Sequence, residues 1–171
     1  MSILERCTHA VLILVCLLSA GLLLEHRFGR RPHAQIPPAR ELQGRALEVP
    51  KLNWTANRTV AIFLNSHCHF CTASMPFYKT IATAVADSNG SVGLAILSAE
   101  EPSTVRQYLK EHGVASTQIY QITGQTSLRY TPTLLVVNRK GIVQKVIEGE
   151  LDGPRQQEFM AALIPSGMAH N

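Results

Sequence analysis

Residues 60–76 read VAIFLNSHCHFCTASMP. The first five residues, Val60 to Leu64, are apolar and include β-branched and aromatic side chains, a composition typical of a buried strand. The residues after Cys71 fit a helix, so Cys68 and Cys71 are predicted to lie where a strand turns into a helix. Unpaired backbone N–H groups and the helix dipole stabilise a thiolate at such a place, and pKa values there fall from about 8.5 to between roughly 3.5 and 7.5.

Length, composition and charge indicate one folded domain and argue against nucleic-acid binding. The 171 residues suffice for one ordinary domain with additional segments, and the hydrophobic fraction of 46% suffices for a core. The net charge of +4 arises largely in residues 1–57, whereas the remainder is nearly neutral. Because the remainder has no Lys/Arg cluster interleaved with aromatic residues, we do not expect nucleic-acid binding.

Of the four cysteines, Cys7 and Cys16 lie in or beside an apolar N-terminal run, and only Cys68 and Cys71 belong to the predicted globular part. A secreted scaffold held by disulfides would need more cysteines in a shorter chain. A four-cysteine zinc site would need a second pair within reach. The globular part therefore contains a single candidate redox couple.

The N-terminal run predicts a membrane segment. Residues 7–24, CTHAVLILVCLLSAGLLL, contain no Lys, Arg, Asp or Glu and are about long enough to cross a bilayer as a helix. We assign residues 1–24 to a membrane anchor or signal segment, with residues 10–24 in the membrane. An uncleaved anchor is favoured over a cleaved signal peptide because the apolar run continues beyond the small residues Ser19 to Gly21.

Residues 25–57 lack periodicity and contain four prolines, which predicts an extended linker. Within it, Leu47 to Trp54 form a segment that is able to pack on the domain as an extra edge. The predicted domain covers residues 58–164, and residues 165–171 form a tail. These boundaries place one folded domain after the linker in the sequence.

Within the domain, apolar periodicity and turn residues predict the remaining elements. After the first strand and its helix come a strand at 92–97, a helix from Pro102 to Gly113 and a short edge strand near Ile119. A helical turn at 126–129 and a strand at 133–137 follow. The last elements are a hairpin turn at 138–141, an antiparallel strand at 142–148 and a helix capped by Asp152. Pro76 is expected to kink the first helix, since proline removes a backbone hydrogen bond. The strand–helix–strand–helix order implies parallel pairing of the first strands.

Four features in register resemble the thioredoxin fold over about residues 58–164. They are the Cys-x-x-Cys at a strand-to-helix junction, a proline five residues beyond Cys71, the Thr131-Pro132-Thr133 sequence before a core strand, and a hairpin followed by a terminal helix. Within that superfamily the chain most resembles the membrane-tethered TlpA-like bacterial thiol-disulfide oxidoreductases, whose hairpin pattern is similar to TPTLLVVNRKGIV at 131–143. The expected fold class is α/β, a thioredoxin-like central mixed sheet flanked by helices and preceded by an N-terminal transmembrane helix.

The resemblance implies a thiol-disulfide oxidoreductase whose direction, reductase or oxidase, stays open. Cys68 would be the exposed nucleophile and Cys71 the buried resolving thiol. Pro132 would be a cis-proline facing the disulfide, and Thr131 would offer its backbone to an extended substrate segment. The cofactor expectation is none beyond the Cys68–Cys71 disulfide. The expected partners are protein thiols or disulfides and a membrane or soluble redox partner, and the expected oligomeric state is a monomer.

The residues around the cysteines depart from the relatives. His67 stands where thioredoxins carry Trp, Ile62 matches their buried acid, and Ser74 stands where cytochrome-maturation reductases tend to have Glu. We predict that His67 and His69 tune the redox couple, because a charged imidazole near a thiolate lowers its pKa. Phe70, which lies between the cysteines, is counted with the two histidines as a residue that tunes the couple, and its side chain is expected to offer partners an apolar contact.

Two alternatives belong to other classes. His67, Cys68, His69 and Cys71 are all possible ligands for copper or zinc, which would make the domain a metal-binding or transfer module. The second alternative is a redoxin-like peroxidase, although the peroxidatic Thr-x-x-Cys of that family is not matched, since Thr72 follows the cysteines.

Charge and chemistry disagree about orientation in the membrane. Arg27, Arg30 and Arg31 outnumber the positive charges before the apolar run, which by the positive-inside rule favours a cytoplasmic domain. Disulfide exchange on a membrane tether is useful where disulfides persist. We expect a single-pass protein of the inner (cytoplasmic) membrane with its domain in the periplasm or outside.

Overall fold

The computed structural model describes residues 39–116, 118–123 and 128–163, together with Ile13, Cys16, Leu17 and Ser19. The chain separates into two compact units, residues 1–35 and 36–171. In the first unit the four described residues are helical. The rest of the predicted anchor, the linker residues before 39 and the predicted tail lie outside the described residues. Where the structure describes the chain, no helix is both long and apolar enough to cross a membrane.

Five strands form one mixed sheet. They are β1 (Arg58–Phe63), β2 (Val92–Ser98), β3 (Ile119–Gln121), β4 (Thr133–Asn138) and β5 (Val143–Glu148). Their order in the sheet is β3-β2-β1-β4-β5. β1 pairs in parallel with β2, as does β2 with β3, whereas β4 runs antiparallel to both β1 and β5. The predicted mixed sheet, its parallel pairing and its terminal hairpin are confirmed.

The helices are α1 (His69–Ala73), α2 (Met75–Ala86), α3 (Pro102–Glu111) and α4 (Gly153–Leu163). The Asp152 side chain caps α4 as predicted, since its Oδ1 accepts a hydrogen bond of 3.1 Å from the backbone N–H of Arg155. Residues 124–127, which include the start of the predicted turn at 126–129, lie outside the described residues. The other predicted helices are all present.

The helix after the cysteines differs from the single kinked helix that the sequence predicted. It is interrupted at Ser74, which ends α1 and precedes α2, and Pro76 lies in the first turn of α2. Proline has no N–H to donate and its ring conflicts with the carbonyl four residues earlier, so a new helix starts more readily than the old one continues. The short α1 is thereby set apart to carry the cysteines.

Alternating side chains of β1 contribute to two apolar clusters on opposite faces of the sheet. Val60 and Ile62 belong to a cluster that includes residues of α2, α3 and α4. Ala61 and Phe63 belong to a second cluster with residues of β4 and of the segment before β1. This period-two alternation is what a strand covered on both faces requires.

The segment before β1 packs on the second face. A 3₁₀ turn at Ala39–Leu42 opens it, and its apolar residues Leu47, Val49 and Leu52 are buried. Ala46 also forms an antiparallel bridge with Ile142. The expected contact of Leu47 to Trp54 with the domain is confirmed, and the packed part begins at Ala39. Residues 39–57 are therefore part of the domain and not of an extended linker, because these side chains remove apolar surface from water.

Candidate active site

Cys68 and Cys71 lie at the start of α1, directly after the loop that leaves β1. Cys68 is the N-cap residue, with φ −86° and ψ 115°, and its Sγ accepts a hydrogen bond of 3.4 Å from the backbone N–H of Cys71. Both residues are free thiols in this structure. The two-residue spacing thus puts both thiols on one helical turn, as the sequence predicted.

The Cys68 thiol is half-buried and lies against the loop that precedes β4. Its Sγ donates a hydrogen bond of 3.2 Å to the backbone carbonyl of Thr131, and the Thr131–Pro132 peptide bond is cis. Partial burial raises the pKa of Cys68. Hydrogen bonds with the side chains of Thr131 and Cys71 and from the backbone N–H groups of Cys71 and Phe70 outweigh it, so the net pKa lies below that of an ordinary thiol. Cys68 is the thiol that ionises first.

Cys71 is fully buried in the cluster that also contains Met75 and Tyr78. Burial, reinforced by the neighbouring Cys68 side chain, raises the pKa of Cys71 to about 12. An apolar environment disfavours the charged thiolate, so Cys71 stays protonated while Cys68 is ionised. The two cysteines therefore differ in exposure and in acidity in the sense that an attacking and a resolving thiol require.

The three residues predicted to tune the couple are all exposed. His67 Nδ1 lies 3.1 Å from Ser66 Oγ and 3.4 Å from Glu100 Oε1. The His69 ring packs edge-on against Phe70, with 5.7 Å between ring centroids. The hydrogen bonds that lower the Cys68 pKa come from Thr131, Cys71 and Phe70 and not from an imidazole. Redox tuning by the two histidines stays a prediction.

Four residues near the cysteines were not identified from the sequence. They are Ser66, Glu100, Tyr78 and Tyr130. Glu100 follows β2 as Ser66 follows β1, and because these strands are parallel, their carboxyl ends meet at one edge of the sheet. The predicted parallel pairing could therefore have indicated that Ser66 and Glu100 lie close together. No comparable signal pointed to Tyr78. It lies on the apolar face of a helix, where a tyrosine that only packs in the core gives the same sequence pattern.

The residues named for metal binding do not form a ligand set. Among the described residues, no group of three or more His, Cys, Asp or Glu side chains is arranged to hold a metal ion. Adjacent side chains at a helix start diverge, and His67 is directed towards Glu100 and Ser66. The geometry therefore gives no support to the metal-binding alternative.

The chain is similar to known proteins in its three-dimensional structure. No protein-family model and no curated protein sequence matches the chain. A thiol-disulfide isomerase from Corynebacterium glutamicum superposes with a TM-score of 0.53 at 14% identity, covering 71% of this chain and 93% of its own. A thiol:disulfide interchange protein of the thioredoxin family from Chlorobium tepidum gives 0.50 at 17% identity, covering 77% and 85%.

A third solved structure, a thiol:disulfide interchange protein from a Bacteroides species, gives a TM-score of 0.51 at 13% identity and covers 67% of this chain and 77% of its own. At these identities the likeness concerns the fold. The sheet order, the Cys-x-x-Cys turn and the cis Thr131–Pro132 bond lie on that fold in the positions described above. This chain therefore has the thioredoxin-like fold, as its resemblance to the thioredoxin superfamily predicted.

Proposed function

We propose that the protein is a thiol-disulfide oxidoreductase that exchanges a Cys68–Cys71 disulfide with partner proteins. The observation that carries this proposal is the asymmetry of the two thiols. Cys68 is accessible with a lowered pKa, and Cys71, one turn later, is buried with a pKa raised to about 12. Two inert core cysteines would both be buried, and their pKa values would both be raised.

In the reducing direction, the Cys68 thiolate attacks one sulfur of a partner disulfide. The partner S–S bond breaks, its second sulfur leaves as a thiolate that takes up a proton, and a mixed disulfide forms at Cys68. Cys71 then loses its proton to water and attacks the Cys68 sulfur. The second partner thiol is released, and two electrons have passed from the cysteine pair to the partner. Oxidation of a partner dithiol is the reverse sequence.

Thr131 and Pro132 would present the partner segment to Cys68. The Thr131 carbonyl already accepts a hydrogen bond from the Cys68 thiol, so a backbone placed beside Thr131 comes directly to the sulfur. An extended partner strand is able to use such main-chain groups as it would those of a sheet edge. The names of the structural neighbours, thiol-disulfide isomerase and thiol:disulfide interchange protein, agree with this chemistry.

The apolar run at residues 7–24 would tether the domain to the membrane. Its length and its lack of charged residues support an anchor in the inner membrane, and disulfide exchange favours a domain in the periplasm or outside. A TlpA-like protein with a protein partner and a monomeric domain is the arrangement that we propose.

Trapping of mixed disulfides tests the proposal. Cys71→Ser removes the resolving thiol, so partner proteins should accumulate as adducts at Cys68 that a thiol reductant releases. Cys68→Ser is the matched control and should form no adduct at Cys71, because this remaining thiol of the pair is buried. Peptide mass spectrometry separates any adduct at Cys7 or Cys16 from one at the pair. Failure of Cys71→Ser to form adducts through Cys68, with the chain folded, would contradict the proposed function.

A further inference from the structure

We propose that Glu100 is a positioning residue for the redox couple, acting through Ser66 and His67 to oppose ionisation of Cys68. The proposal rests on the function proposed above and concerns how reducing or oxidising the Cys68–Cys71 pair is. Glu100 lies in the loop after β2, next to the loop that leads from β1 into Cys68. Its role is assigned from the contacts of its carboxylate.

The Glu100 carboxylate is fixed by donors in the loop after β1 and at the last residue of β2. It accepts hydrogen bonds from the backbone N–H of Ser66 at 2.7 Å, from Ser66 Oγ at 2.6 Å and from Ser98 Oγ at 3.4 Å. The side chain is only 16% exposed. Such contacts determine where the carboxylate lies, and they tie down the residue two positions before the nucleophile.

The carboxylate is charged at neutral pH. Partial burial raises the pKa of Glu100, but the hydrogen bonds from Ser66 and the neighbouring His67 lower it further, so the net pKa lies below the ordinary value. At neutral pH a negative charge is therefore bonded to Ser66, two residues before the sulfur that has to form a thiolate. Like charges disfavour one another's ionisation.

Glu100 also reaches the one residue between Ser66 and Cys68. His67 Nδ1 lies 3.4 Å from Glu100 Oε1 and 3.1 Å from Ser66 Oγ, while the imidazole itself is 86% exposed. A protonated His67 therefore forms an ion pair with Glu100, and the pair presents little net charge to the Cys68 sulfur. The effect of the imidazole on Cys68 depends on whether the carboxylate is present.

The test measures the pKa of Cys68 in the full-length chain, from the pH dependence of its alkylation by iodoacetamide. Mass spectrometry of the Cys68 peptide excludes signal from Cys7 and Cys16. Glu100→Gln keeps an acceptor for Ser66 but removes the charge. We expect the Cys68 pKa to fall by roughly 0.5–1 unit, the size of effect that removal of a nearby unit charge has in a partly solvent-exposed setting.

A double-mutant cycle separates the charge effect from a change in the loop. His67→Asn should raise the Cys68 pKa in the wild-type background, because it leaves the Glu100 charge without its partner. It should change the Cys68 pKa less in the Glu100→Gln background, where no carboxylate holds the imidazole in place. Glu101→Gln is the matched control, because this adjacent carboxylate bonds Gln121 at 3.2 Å and should leave the pKa of Cys68 unchanged.

An unchanged Cys68 pKa in Glu100→Gln, or an equal effect of His67→Asn in both backgrounds, would overturn the proposal. Either result can occur while Cys71→Ser still traps partners, in which case only the role of Glu100 is lost. Absence of trapping would instead remove the proposed function, whatever the pKa of Cys68.

Discussion

Two large apolar side chains near Cys68 are left in solvent. Phe70 is 56% exposed and Tyr130 is 60% exposed, whereas most large apolar side chains of the described domain are covered. Phe70 lies between the two cysteines, and Tyr130 precedes Thr131, whose carbonyl contacts the Cys68 sulfur. Exposed aromatic groups beside a reactive atom are typical of a surface that a partner covers.

We predict that Phe70→Ser and Tyr130→Ser each slow exchange with a protein disulfide. Loss of one buried aromatic contact is worth about 1–2 kcal/mol, so the second-order rate constant should fall roughly 5- to 30-fold. Exchange with hydroxyethyl disulfide, which is too small to cover either ring, should be nearly unchanged and serves as the control. An equal fall for both substrates would indicate damage to the cysteine pair instead of loss of a partner contact.

The Tyr78 side chain also lies near the cysteines, and its hydroxyl is not needed for packing. It is fully buried beside Cys71, and the Ser74 side chain lies near its hydroxyl. Ser74 Oγ donates its proton to the Phe70 carbonyl at 2.8 Å, so among the described residues the Tyr78 hydroxyl has no hydrogen-bond partner of good geometry. An unsatisfied buried hydroxyl costs about 1–3 kcal/mol, so its removal need not destabilise the fold.

Tyr78→Phe should therefore leave the free energy of unfolding unchanged or raise it by about 1 kcal/mol. The matched variant is Tyr108→Phe, which loses a hydroxyl that lies 2.9 Å from Thr72 Oγ1 and should be destabilised by about 0.5–1.5 kcal/mol. Urea unfolding of both reduced proteins measures the difference. A Tyr78→Phe protein that is less stable than Tyr108→Phe would contradict this account of the core.

At the scale of elements, the hairpin of β4 and β5 depends on the segment before β1. Gly141 lies in the hairpin turn with φ +77°, and a Cβ added there would lie 2.9 Å from Cδ1 and Nε1 of Trp54. Leu47 donates its backbone N–H to the Gly141 carbonyl at 2.8 Å. Trp54 and the turn are thus packed too closely for any side chain between them.

Gly141→Ala should destabilise the domain more than Gly90→Ala does. Both glycines have positive φ, which costs an alanine about 1–2 kcal/mol, but no described atom lies within 4 Å of a Cβ added at Gly90. The overlap with Trp54 should add about 1–3 kcal/mol. Trp54 is the only tryptophan, so its fluorescence should change in Gly141→Ala alone. Equal losses of stability would show that this contact is not close.

The elements show what local sequence determines. The strands and the helices at Pro102 and after Asp152 were predictable, because period-two and period-3.6 apolar patterns and capping residues act over a few positions. The break at Ser74 depends on how Pro76 competes with the preceding turn. The docking of residues 39–57 depends on a face of the sheet formed by distant strands, which no local pattern reveals.

The same distinction applies to the site. Cys68 and Cys71 were predictable from their spacing and their position after a strand. Thr131 and Pro132 came from the family resemblance, since 63 positions separate Thr131 from Cys68. Glu100 was missed because no local pattern links it to Ser66 and His67, although the predicted parallel pairing of β1 and β2 places the ends of both strands at one edge of the sheet.

At the scale of the whole molecule, the chain joins an apolar N-terminal run to one thioredoxin-like domain with a single cysteine pair. The central claim is that this pair is a reversible two-electron couple. Its most direct test is equilibration of the full-length chain in glutathione buffers, followed by alkylation and peptide mass spectrometry. Cys71→Ser is the control, in which Cys68 should appear as a glutathione adduct.

We predict one transition in which both thiols disappear together and a Cys68–Cys71 linked peptide appears, with a tenfold change in the equilibrium constant for every ~30 mV, as for two electrons. A chain in which Cys68 and Cys71 stay unlinked across all buffers, or in which Cys68 pairs only with glutathione or with Cys7 or Cys16, would contradict it.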